Sequence, residues 1–152
     1  MEKMNNNQYR ERQMRFLVIH ASHTPQGVEC GSVELPIRPH YYVRRNGVVE
    51  RLLPRGEAGR HCPGFNRHSV GVCYEGGLDR EGRTSDMRTV LQCQALHDLV
   101  CLYLNVYPGM KLARPRQFTA GTSPTDPGFN VPREYGEWVK IPKYNLRKLA
   151  GR

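Results

Sequence analysis

No apolar run in this sequence approaches the roughly 20 residues that cross a bilayer. Met1 to Arg15 is polar and lacks an apolar stretch of signal-peptide type, so the expected location is the cytoplasm. Cys-x-x-Cys pairs are also missing. The five cysteines (Cys30, Cys62, Cys73, Cys93 and Cys101) are odd in number and scattered, which argues against a disulfide framework and reads as buried, reduced thiols. Acidic residues are in deficit: 14 against 23 Lys and Arg, for a formal charge of +9 that favours anionic partners. Zinc-finger spacing and the aromatic-basic signature of an RNA-binding strand are both absent, leaving nucleic acid a minor candidate. Histidine is confined to the first two thirds of the chain, with none of the six beyond His97.

What is present suits one soluble domain. At 152 residues, with 38% hydrophobic and 24% charged residues, the chain is large enough for a core without staples. Residues 1–14 read as a polar tail, 15–140 as the domain, and 141–152 as a basic tail. Phe16 to Ile19 is a continuous apolar run, the pattern of a buried strand, with His20 at its end. Thr24 to Pro39 reads as loop with a short strand around Ser32 to Leu35. Tyr41–Arg45 and Val48–Leu52 flank Asn46-Gly47, a strong hairpin signal because both turn residues tolerate positive φ. Ser69 to Tyr74 is a second buried strand, ended by Gly76-Gly77. Val90 to Tyr107 is the best helix: Thr89 and Gln92 fit a capping box, Leu91, Ala95, Leu99 and Leu102 recur at helical spacing, and Pro108-Gly109 stops it. Arg114 to Pro132 reads as loop, and Arg133 to Val139 as a short helix carrying Trp138. The order predicts an α/β domain with a mixed central β-sheet flanked by helices.

Ile19-His20-Ala21-Ser22-x-Thr24-Pro25 resembles the first-strand element of the phage-lysozyme-type N-acetylmuramoyl-L-alanine amidases, whose fold the peptidoglycan recognition proteins share. His40 to Glu50 looks like that family's second strand and hairpin, and Ala58 to Asp79 is similar to its loop and third strand almost residue for residue. Tyr107-Pro108-Gly109 and Asp126-Pro127-Gly128-Phe129 continue the match in order. The resemblance covers roughly Phe16 to Val131 and implies an amidase-like fold.

The family reaction cleaves the amide between muramic acid and L-alanine. It needs a Lewis acid and an activated water, which a catalytic zinc on three protein ligands with an open fourth position supplies. The resemblance places the first ligand on His20 and the third on Asp126. The second is missing, because the family's Gly-His-Arg-Asp element aligns with Arg114-Pro115-Arg116-Gln117. A family tyrosine aligns with Pro39 and a family lysine with Pro124; groups of that kind position water and stabilise an oxyanion. The helix between the first two strands is absent as well. These departures mark a degenerate member.

Substitutes are on hand. His23 or His61 is a candidate third metal ligand beside His20 and Asp126, and Tyr41, two residues beyond Pro39, is a candidate catalytic hydroxyl. His40, His61 and Asn66 are candidates for ligand binding in the groove, while His68 and His97 are expected to take no part. The resulting expectation is a catalytically impaired protein that binds peptidoglycan fragments or a protein partner, with zinc absent or weakly held. An active zinc amidase with reassigned ligands is one alternative, and a basic adaptor for nucleic acid or protein is another.

Overall fold

A computed structural model describes residues 13–118 and 126–139, the last few of these (136–139) as backbone only. The expected tails, apart from residues 13 and 14, lie outside the described residues, as do Pro124 and the side chain of Trp138.

The chain runs β1 (Phe16–Ala21), β2 (Thr24–Pro25), β3 (Tyr41–Val43), β4 (Val49–Arg51), β5 (Ser69–Tyr74), β6 (Gly77–Leu78), α1 (Val90–Val106), β7 (Lys111–Ala113) and α2 (Val131–Val139). Five strands form one sheet in the order β4-β3-β5-β1-β7. Only the β3/β4 pair is antiparallel, so the sheet is mixed, as the sequence implies. β2 and β6 make a separate two-stranded parallel ladder.

Alternation along the strands divides the core. Leu17, Ile19 and Ala21 of β1 and Val70, Val72 and Tyr74 of β5 pack with Leu96, Leu99, Val100 and Tyr103 of α1 and with Val131 and Tyr135 of α2. Val18 faces the other side, with Cys62, Ala113 and the rings of Phe16, Phe65 and Phe118. Leu17, Val18 and Ile19 are all fully buried, and each contributes roughly 1.5–3 kcal/mol by leaving water. This explains why β1 reads as an unbroken apolar run: a central parallel strand has no solvent face.

Local chemistry sets the boundaries. Thr89 Oγ1 accepts from the Gln92 N–H and the Gln92 side chain accepts from the Thr89 N–H, the capping box expected from sequence. Three expectations need correction. Ser32 to Glu34 is a 3₁₀ turn rather than a strand, because it lies along no sheet edge. The hairpin strands are shorter than expected, and only Gly47 takes positive φ (85°). The Arg44 carbonyl accepts from the Gly47 N–H, so a four-residue turn ending in a left-handed glycine replaces a two-residue Asn-Gly turn. Finally, Arg114 to Pro132 is not all loop, since Pro115–Gln117 forms a 3₁₀ turn and α2 opens at Val131; just before Arg114, β7 adds an edge to the sheet.

No helix separates β1 from β3. A single carboxylate organises the loop found there instead. Glu75, at the end of β5, is 3% exposed; it accepts from the Tyr42 hydroxyl at 2.7 Å, from the Cys30 and Gly31 N–H groups at 3.2 Å each, and from the Arg45 N–H at 3.3 Å. Burial opposes its ionisation, but the Tyr42 hydroxyl and these N–H groups prevail and hold the carboxyl below its usual range.

Candidate functional site

The second face of the sheet gathers the histidines. Near its end β1 carries His20 on that face, one strand from Cys73, its register partner on β5. The loop after β4 brings His61 over β5, and the Asn66 side-chain oxygen holds the loop by accepting from the His61 and Cys62 N–H groups at 3.1 and 2.8 Å. Gly71 lets the ring settle: a Cβ there would lie 2.6 Å from His61 Cγ and Cδ2. This glycine is required by the close approach of a ring to a strand.

The result is a buried hydrogen-bonded chain. His20 Nε2 and His61 Nδ1 are 2.9 Å apart, and His61 Nε2 lies 3.3 Å from Ser69 Oγ. Ser69 Oγ gives its one hydrogen to the Phe65 carbonyl at 2.9 Å, so it accepts from His61 Nε2–H. His61 Nδ1 is then an acceptor, and His20 Nε2–H donates to it. His20 is 4% exposed; burial pushes its pKa down to about 4, only partly offset by Asp126. His20 is therefore neutral at ordinary pH.

Asp126, 5% exposed, comes in from the far segment. Its Oδ1 accepts from the Ala21 N–H at 3.1 Å, and its Oδ2 lies 3.2 Å from Nε2 of half-exposed His23. The bond to Asp126 raises the pKa of His23 against the opposing effect of burial. His23 is the one non-glycine residue with positive φ (56°) among the described residues. Such a backbone is uncommon outside glycine and is held here by the surrounding contacts.

These contacts test whether a metal fits. His20 Nε2 and His61 Nδ1 face each other across a shared hydrogen, and both Asp126 oxygens are engaged. Burial raises the Cys73 thiol pKa well above its usual value, so it is not a thiolate. Among the described residues no three His, Cys, Asp or Glu side chains converge as a metal site. At the strand end where the resemblance expects the second ligand, Arg114 opens the 3₁₀ turn and Pro115 is buried. As placed among the described residues, His20, His61 and Asp126 do not form a three-ligand set for zinc.

The structure brings His20, His23, His61 and Asp126 into one cluster, with the His40 ring packed against His61 at 5.9 Å between centroids, and leaves Tyr41 outside it. His40 is fully buried; its Nε2–H donates to the Glu57 carbonyl at 2.6 Å and its Nδ1 accepts from the Gly71 N–H at 3.1 Å. It therefore ties a loop to β5 and lines no groove, which corrects the sequence expectation. Asn66 is likewise a loop clamp. Tyr41 points to the helical side of the sheet, where its hydroxyl meets that of Tyr103 at 2.8 Å, and it is not beside the histidines. The reason is strand parity: Tyr41 shares a face with Val43, against α1. Sequence reasoning missed Ser69 and Glu75; a carboxylate directly after a buried strand and before Gly76-Gly77 was the available signal for Glu75.

The family model described as N-acetylmuramoyl-L-alanine amidase matches residues 10–129. The chain belongs to this amidase family. The endolysin of Escherichia phage T7 is 35% identical over 78 residues, which is 51% of this chain and 52% of that protein. The chain thus matches about half the length of this curated relative. An endolysin N-acetylmuramoyl-L-alanine amidase from Clostridium intestinale superposes with a TM-score of 0.67 at 22% identity, covering 84% of this chain and 85% of that one. Peptidoglycan recognition protein ectodomains LCa and LCx, solved with bound tracheal cytotoxin, give a TM-score of 0.60 at 19% identity, with 84% of each chain covered. These solved structures show the shared fold. No helix among the described residues is long and apolar enough to cross a membrane.

Proposed function

We propose that this amidase-family protein binds peptidoglycan fragments without hydrolysing the muramoyl–alanine amide. One observation carries the reading: the side chains at the ligand positions are satisfied by one another. His20 donates to His61 at 2.9 Å, and Asp126 is shared between the Ala21 N–H and His23. Hydrolysis needs a polarised carbonyl and an activated water, and the cluster has no set of three donors left to hold the ion that would supply them.

Binding rests on different residues. His23 is half-exposed, with its proton favoured by Asp126, and Arg114 and Arg116 follow β7 at the same sheet. Together with the net charge of +9, these groups complement the carboxylates of a stem peptide. Tracheal cytotoxin bound to the recognition-protein neighbours is a precedent for fragment binding on this fold.

The test is calorimetric titration with a muramoyl tripeptide, alongside zinc stoichiometry of protein purified without chelator. Saturable binding by zinc-free protein, with no stem peptide released from purified wall, is the expected result. One zinc per chain with chelator-sensitive release would mean that the donors rearrange into a working centre, and the proposal would fall. No muramoyl-peptide binding would remove the ligand and leave a scaffold role.

A further inference from the structure

The helical side of the sheet holds a feature that the histidine cluster does not use. Where edge strand β4 meets the C-terminal half of α1, Tyr41, Arg51, Arg55, Leu102, Tyr103 and Val106 line a cleft of about 320 Å³, within the range of small-ligand sites. Arg51 makes no ion pair with a carboxylate among the described residues, and the Arg55 guanidinium lies over the Tyr107 ring, 5.8 Å from its centroid. Leu102 and Val106 are 52% and 42% exposed, so the cleft has two cations and an uncovered apolar wall.

The tyrosines add a hydrogen-bond argument. The Tyr41 and Tyr103 hydroxyls are 2.8 Å apart. Whichever donates, the other keeps a hydrogen with no acceptor among the described residues, at the wall of this cleft. Tyr103 is 2% exposed and can spend its hydrogen on Tyr41, which leaves the spare donor on the half-buried Tyr41 hydroxyl at the cleft wall. The Tyr107 hydroxyl, on the ring stacked beside Tyr103, is also buried without a partner. A spare tyrosine donor and the Arg51 guanidinium at one cleft, with the positive charge of Arg55 beside them, favour an acceptor with negative charge.

We propose that this cleft binds a carboxylate carried on an apolar stem. Guanidinium forks match a planar carboxylate, the spare tyrosine hydrogen meets one of its oxygens, and the stem covers Leu102 and Val106. A phosphate dianion suits the place less well, because the carbonyl end of α1 carries partial negative charge that opposes a second ligand charge. A second copy of this chain is disfavoured by repulsion between molecules of charge +9. The site lies on the opposite face from His20 and stands independently of the proposed function.

The experiment is an NMR titration of the whole protein with 4-phenylbutyrate, 4-phenylbutanol and inorganic phosphate. The acid is expected to give saturable shifts at Arg51, Arg55, Leu102 and Val106, binding at least about tenfold more tightly than the alcohol or phosphate. Arg51→Gln and Arg55→Gln are each expected to weaken it about tenfold or more, since a hydrogen bond to a charged group contributes about 1.5–3 kcal/mol and 1.4 kcal/mol is a factor of ten. Tyr41→Phe, which keeps the ring packing, is expected to weaken the acid but not the alcohol. Equal binding of acid and alcohol, equal or tighter binding of phosphate, shifts centred elsewhere, or arginine variants that titrate like the parent would each overturn the proposal.

Discussion

Replacing Gly71 by alanine perturbs the histidine cluster without touching a polar atom. The new Cβ would sit 2.6 Å from Cγ and Cδ2 and 2.8 Å from Cε1 of His61, where ordinary contact begins near 3.4 Å. β5 cannot easily retreat, being paired to β1 on one side and β3 on the other. The ring has to move, and that stretches both the 2.9 Å contact with His20 and the 3.3 Å contact with Ser69. Overpacking of this kind costs about 1–3 kcal/mol, and a buried donor left unsatisfied about the same again. The expected loss in urea unfolding is therefore about 3 kcal/mol, with altered imidazole N–H resonances of His20 and His61. In a His61→Ala background the space is empty, and Gly71→Ala should cost less than about 1 kcal/mol, a coupling that a double-mutant cycle reads directly. A single variant within about 0.5 kcal/mol of the parent, with unchanged imidazole signals, would refute the packing argument.

Glu75→Gln keeps the shape but removes the charge from four hydrogen bonds; a loss of about 2 kcal/mol is expected, with faster proteolysis between Gln26 and Leu35 as the specific readout. Stability should also fall on acidification. The folded-state pKa of His20 is lowered to about 4 against about 6.5 unfolded, so the unfolded chain binds the extra proton. The His20 contribution is full above pH 6.5 and is lost toward pH 4, by at most about 3 kcal/mol. His23 acts in the opposite sense: its raised pKa gives stability that is present below pH 6.5 and lost as pH rises through the folded value. Urea melts of the parent and of His20→Gln across pH 7.5 to 4.5 separate the two, and a parallel pH dependence in both proteins would contradict the His20 assignment. Thr89→Ala should cost about 1 kcal/mol by thermal unfolding, as loss of an N-cap does.

Much of the fold was legible because burial writes itself in runs: Phe16–Ile19 and Ser69–Tyr74 are apolar throughout since both strands lie inside a parallel sheet. The helix was readable at both ends from its capping box and from Pro108-Gly109. β7 was not, because a three-residue edge strand has too few positions to display a period. Of the candidate cluster, His20, His23, His61 and Asp126 were named from sequence, and they do come together. Their partners were not foreseeable, because a shared hydrogen between His20 and His61 depends on a ring seated over Gly71, a contact spanning strands distant in sequence. Tyr41 was misjudged because alternation along β3 sends its side chain to the helical face, and the residues alone do not say which face holds the cluster. His40 does lie on the histidine face beside His61, but its two nitrogens are spent on the Glu57 carbonyl and the Gly71 N–H.

The loop tied down by Glu75 offers a practical handle. Its fastenings flank an open stretch: those from Arg45 to the Pro25 and Val28 carbonyls, from Glu75 to Cys30 and Gly31, and from Ser32 Oγ to Glu50 lie at or before Ser32, and the paired Arg38 and Arg60 backbones lie well beyond it. Just beyond Ser32, Val33 stands 96% exposed. Extra residues grafted between Val33 and Glu34 would extend outward from a clamped base, making this the natural place for an epitope or fluorophore that reports on the protein without disturbing either face of its sheet.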